Sequence, residues 1–129
     1  MAVQTVMGKV DIRDLGIISP HEHIFIDLGN FYQHHPVKGV ADPATEKVKI
    51  ENLGILARDP YALLDNLRLD DLDIQIKELA YFKAAGGMTI VDATMPGIGR
   101  NPRLLQEISQ KTGLHVVMGT GYYVGSSHP

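Results

Sequence analysis

His21 and His23 are the residues whose type and spacing point most directly to chemistry. They stand two apart at the end of a short apolar run, Gly16-Ile17-Ile18-Ser19-Pro20-His21-Glu22-His23-Ile24, which reads as a buried strand. Side chains at i and i+2 of a strand share a face, so both imidazoles can reach one metal ion. Imidazole is a common ligand for zinc and similar metals. The chain has no cysteine, so disulfides and thiolate zinc sites are excluded, and a transition metal has to be held by histidine and carboxylate. A His-x-His also arises by chance near strand ends, and the pair alone does not separate ligand from coincidence. Glu22 points to the opposite face and reads as a structural hydrogen-bonding group.

Other polar residues sit where strands should end. Asp92 lies inside a second apolar run, Met88 to Thr94, where a buried carboxylate needs a partner. Thr94 to Arg100 follows as a loop. Gly119-Thr120-Gly121-Tyr122-Tyr123 ends a third run. A glycine-rich turn after a strand can cradle phosphate, but Gly119, Gly121 and Gly125 do not have G-x-G-x-x-G spacing, so tight turns are the simpler account. Tyr123 either lines a substrate pocket or packs. His34 and His35 fall in an irregular stretch and read as solvated, His115 begins its strand and so lies at the far end from His21 and His23, and His128 has no place in the pattern. No Ser-His-Asp or Cys-His set is visible.

The elements that must carry these residues follow from periodicity. Residues 3–12 alternate apolar and polar around Gly8, which predicts a small N-terminal hairpin within residues 1–13. Residues 14–28 hold the first strand of the main sheet, and Pro20 is tolerable only if that strand is ending. Residues 29–69 form a long insertion punctuated by His35-Pro36, Asp42-Pro43 and Asp59-Pro60, with one short helix expected at Asp42. Residues 70–129 read as two helix–strand units. Asp70 or Asp71 caps a helix with Leu72, Ile76, Leu79 and Phe82 on one face, stopped by Gly86-Gly87. Asn101-Pro102 opens the next, with Leu104, Leu105 and Ile108 inward and Gly113 as its stop. Strand, helix, strand, helix, strand implies right-handed crossovers and a parallel α/β sheet.

Bulk properties narrow the functional classes. The 129 residues are 44% apolar with a formal charge of −3, enough for one core and a single domain. Basic residues are scattered, which gives no footprint for nucleic acid or an anionic membrane. The N-terminus lacks a secretory pattern and no apolar run nears the ~20 residues of a membrane span, so a cytoplasmic protein is expected.

Taken in order, several segments resemble the phosphotriesterase family of the amidohydrolase superfamily. They are Asp14-Leu15-Gly16 leading into His21-Glu22-His23, then Gly86-Gly87 with Thr89-Ile90-Val91-Asp92, then Ile98-Gly99-Arg100, and finally Gly119-Thr120-Gly121-Tyr122-Tyr123. Residues 51–71 also resemble an insertion of phosphotriesterase-like members. The resemblance implies a (β/α)8 TIM barrel, of which this chain would be the N-terminal portion with about three strands, preceded by the hairpin. It implies a centre of two divalent metals, usually zinc, with His21 and His23 on the more buried one, and it places Tyr123 at an aromatic of the leaving-group pocket. The family's remaining ligands, on strands four, five, six and eight, have no counterpart here, and neither does its catalytic Asp. A barrel needs roughly 200 residues or more, so the chain is expected to be the front of a longer enzyme.

For the intact member the resemblance implies metal-assisted hydrolysis at a phosphoryl or carbonyl centre, with a small lactone or carboxylic ester expected before a phosphotriester. His21 and His23 would hold metal, and no catalytic residue is expected within the chain. A homo-oligomer or a completing partner chain is the expected assembly, because three strands leave an open edge. The rival expectations are an inactive truncated product and a nucleotide-binding α/β module; the glycine spacing already argues against the latter.

Overall fold

The computed structural model describes residues 1–128 and orders them as β1 (Ala2–Thr5), β2 (Gly8–Asp11), β3 (Ile17–Glu22), β4 (Ile26–Asp27), α1 (Leu53–Leu56), β5 (Arg68–Leu69), α2 (Leu72–Ala84), β6 (Gly87–Asp92), α3 (Pro102–Thr112) and β7 (His115–Met118), with short 3-10 turns between them. Pro129, the last residue of the second expected helix–strand unit, lies outside the described residues.

The central sheet is parallel, in the order β3-β6-β7. Helices α2 and α3 provide the two crossovers, as the alternating pattern requires. Asp71 caps α2 by accepting from the Ile74 amide, and Leu72, Ile76, Leu79 and Phe82 at helical spacing turn toward the core. In α3, Asn101 caps through the Leu104 amide, Pro102 fills the first turn where no amide is missed, and Gly113 closes the helix in the left-handed conformation. The main core joins Ile24, Phe25, Ile90, Leu105, Ile108, Leu114 and Val116. Each such side chain, fully buried, contributes about 1.5–3 kcal/mol.

The hairpin β1–β2 runs from Ala2 opposite Asp11 to Thr5 opposite Gly8. It is tied to the main sheet by the Val6 amide, which donates to Val116 O at 2.9 Å, and to α3 by the Gln106 side chain, which donates to Val6 O at 3.0 Å. Inside residues 29–69 a second, smaller core of Leu56, Ala62 and Leu63 forms, with Val37, Val40 and Ile55 against it. Strands β4 and β5 close this insertion through an antiparallel pairing of Ile26 with Leu69 and Asp27 with Arg68.

Four expectations need correction. The first strand of the main sheet does not occupy 14–28: it is confined to Ile17–Glu22, preceded by a 3-10 turn at Ile12–Asp14 and followed by a separate short strand. Nor is it buried, since Ile17 and Ile18 are 62% and 42% exposed. Among the described residues β3 has a neighbour only in β6, so its other edge lies open. It also runs through Pro20, where the register with β6 shifts between Ser19 and Glu22; the missing proline N–H falls at that irregularity. Finally, Asp42 starts a single turn and no helix. Its carboxylate accepts from the Ala44 amide and the Thr45 hydroxyl, but the chain extends again at Lys47, whose neighbour Val48 bonds Asp65 instead. The short helix of the insertion falls later, at α1.

Candidate metal centre

At the C-terminal ends of the sheet strands, one buried carboxylate organises the chain. Asp92, fully buried at the end of β6, accepts from the Ile24 amide at 2.8 Å with Oδ2 and from the Thr94 amide at 3.0 Å with Oδ1. Its backbone carbonyl accepts from the Gly119 amide at 2.8 Å, and the next amide, Ala93, donates to Glu22 O at 2.8 Å. The ends of β3, β6 and β7 are therefore locked together around this residue. Hydrogen bonds to a charged acceptor contribute about 1.5–3 kcal/mol each, which is how a carboxylate is tolerated in the core.

This lattice fixes where the histidines go. Beyond Glu22 the chain turns inward, burying Ile24 and Phe25 in the core and leaving His23 half-buried at the strand end. The rings of His21 and His23 face each other edge to face, with centroids 5.3 Å apart and planes at 71°. His23 Nδ1 lies 3.0 Å from the Thr94 hydroxyl, which also donates to Phe25 O at 3.0 Å. Imidazole–zinc bonds are about 2.0–2.1 Å long, so two rings at this spacing can share one ion. They fit as half a tetrahedral shell, which needs further ligands. Among the described residues no group of three or more His, Cys, Asp or Glu forms a complete set.

Glu22 accepts from the Ser19 hydroxyl at 2.6 Å and, together with His23 and with Gln75, Glu78 and Leu79 of α2, lines a cleft of about 240 Å³. The other residues singled out from the sequence fall elsewhere. Tyr123 is exposed after β7; its ring meets Phe31 edge to face at 6.4 Å, and Phe31 in turn meets Tyr61 at 6.3 Å. His34 packs on Tyr32, His35 pairs with Asp59 at 3.3 Å, His115 opens β7 opposite Thr89, and His128 lies against Tyr122.

The glycines of the strand-end loops serve close approach. Gly97 has φ +87°, and a Cβ there would come within 1.6 Å of Ser127 O; Gly99 has φ +95°, and its Cβ would meet the Asp27 amide nitrogen at 2.7 Å. The Gly119 amide is already committed to Asp92 O, so it is not free to receive a phosphate. Sequence reasoning recognised that Asp92 needed partners but missed Thr94 as the neighbour of His23. The available signal was its place two residues after Asp92, on the loop leaving a strand end.

Against known proteins, the model of the phosphotriesterase family matches residues 1–128. The chain is 35% identical to an N-acetyltaurine hydrolase of Rattus norvegicus over 127 residues, covering 98% of this chain and 36% of that protein. Among solved structures, a resiniferatoxin-binding protein from Rhodobacter sphaeroides superposes with a TM-score of 0.91 at 41% identity, covering 99% of this chain and 36% of that one. A lactonase from Listeria monocytogenes gives 0.59 at 27% identity, covering 94% of this chain and 28% of that one. The chain thus spans about a third of the length of the curated relatives it matches.

Proposed function

Because this chain belongs to the phosphotriesterase family, a family of hydrolases built on TIM barrels, we propose that it supplies the first metal-ligand pair of a zinc-dependent hydrolase acting on a small acyl substrate. The observation that carries this is the pair of imidazoles at the C-terminal end of a parallel strand, 5.3 Å apart, with one ring held by a buried hydroxyl. That end of the sheet is where TIM barrels place their chemistry.

In this reading His21 and His23 hold an ion, Asp92 and Thr94 hold the strand ends that present them, and the remaining ligands come from further barrel strands, in the same polypeptide or a partner. Bound there, zinc would activate water and polarise the oxygen under attack. Tyr123, backed by Phe31 and Tyr61, would form an apolar wall against the substrate. A lactone or carboxylic ester is the bond expected from the sequence, and the likeness to a lactonase supports it. The higher identity to N-acetyltaurine hydrolases favours a second substrate class, an N-acyl amide. Both are carbonyl centres and use the same machinery. No helix among the described residues is long and apolar enough to cross a membrane, and a cytoplasmic setting is part of the proposal.

Native mass spectrometry with added zinc tests this reading, because it counts metal and protein mass together. Zinc bound in a barrel-sized assembly, and lost in His21→Ala and His23→Ala, supports it, and matched lactone, ester and N-acyl amide assays then identify the bond. A monomer that takes up no zinc overturns the metal assignment for this chain.

A further inference from the structure

Thr94 is 1% exposed, and its hydroxyl sits between two groups at the same distance, Phe25 O at 3.0 Å and His23 Nδ1 at 3.0 Å. A carbonyl oxygen can only accept, so the one hydroxyl proton is directed to Phe25. What Thr94 turns toward His23 is therefore an oxygen lone pair. A neutral imidazole carries one N–H and one bare nitrogen, and only the N–H can meet a lone pair favourably. We infer that Thr94 is a positioning residue that holds His23 as its Nδ1–H tautomer, leaving the Nε2 lone pair free for a divalent cation.

The hydroxyl is itself held in place. The Thr94 amide donates to Asp92 Oδ1, while Asp92 Oδ2 takes the amide of Ile24, the residue next to His23. The partner of the ring and the backbone carrying the ring are thus bound by the two oxygens of one carboxylate. Metal-bound histidines commonly donate their second ring N–H to such a neighbour, which fixes both tautomer and ring orientation. Among the described residues His21 has no comparable side-chain hydrogen bond and is exposed, so the two rings differ in preorganisation: His23 is set before an ion arrives, and His21 is set by it.

The tautomer follows from the hydrogen bonds alone, and only its use for a cation rests on the metal reading above, so the two can fail separately. The test is a long-range 1H–15N spectrum of the histidine rings in the metal-free chain, at a pH above the ordinary histidine range, with a zinc titration alongside. The wild type and Thr94→Ser should show a protonated Nδ1 and a bare Nε2 at His23. Thr94→Val should lose that signature and bind zinc about 10–100-fold more weakly, the usual loss when such a partner is removed. A wild-type His23 protonated at Nε2 overturns the inference, and needs no folded variant to do so. An unchanged spectrum in Thr94→Val overturns it as well. If the tautomer follows the hydroxyl but no variant binds zinc, the positioning role stands and the metal reading falls.

Discussion

The strand ends and the insertion are held by different physics. Around Asp92 the chain is fixed by buried hydrogen bonds that join three separate strands, with Ile24, Phe25, Ile90 and Val116 of the main core beneath them. Residues 29–69 rest on the small core of Leu56, Ala62 and Leu63 and on polar contacts at the surface, the Lys47–Asp65 ion pair and His35 Nε2 beside Asp59. Exposed pairs of this kind contribute little. The two regions meet through the β4–β5 pairing, the Leu28 amide on Leu67 O and the ring contact of Phe31 with Tyr123. The strand ends can therefore hold ligand geometry tightly, while the insertion is free to open locally. This division suits the metal-binding edge proposed above, with an adaptable wall beside it.

The sharpest way to break the comparison is Asp92→Ala. It strands the Ile24 and Thr94 amides without acceptors in the core, at about 1–3 kcal/mol each. The expected result in urea is global destabilisation, with amide protection lost together in β3, β6 and β7; loss confined to one strand would show that Asp92 is not their common tie.

Leu63→Ala should come next, at about 2–5 kcal/mol for a fully buried leucine. Hydrogen exchange should quicken within the insertion while β6 and α3 stay protected. Equal loosening of both regions would mean they form one cooperative unit. A smaller effect, about 1–3 kcal/mol of backbone strain, is expected from Gly99→Ala, whose new Cβ meets the Asp27 backbone at the junction of the two regions. Denaturant midpoints would measure it, and an unchanged midpoint would show that the junction yields.

The smallest effect is electrostatic. The Lys47 side chain and the Val48 amide, both bonded to Asp65, hold its carboxyl below the usual carboxylate range. Its stabilisation is therefore complete above the unfolded carboxylate's range and drains away as pH falls through the lower folded value. Asp65→Asn should flatten that acid limb of the insertion's hydrogen-exchange stability. Exchange at β6 should be unaffected, and an equal change there would again join the two regions.

Much of this was written locally. The period of Leu72, Ile76, Leu79 and Phe82, the Asn101-Pro102 start and the Gly113 stop act within a few residues, so α2, α3 and their places between parallel strands were legible from the chain alone. The nearness of His21 and His23 was legible too, because residues two apart at a strand end stay close even where the chain then turns inward. The short helix expected at Asp42 failed because the local cap formed but tertiary bonds at Asp65 drew the following residues away from it. The expected burial of Ile17 and Ile18 failed because burial belongs to whatever packs on a strand, and not to the apolar run itself.

What the sequence determined by itself was therefore the order and kind of elements and the pairing of two imidazoles at one strand end. Only the tertiary structure decided that Asp92 would join residues 24 and 94, that the Thr94 hydroxyl would stand at His23 Nδ1, and that Tyr123 would rest on Phe31. Apart from the local bond between Thr94 and Asp92, those contacts link residues some 70 to 90 positions apart, and no local period encodes them. They exist because parallel crossovers bring distant strand ends to one edge of the sheet, where each buried polar group must find its partner in space.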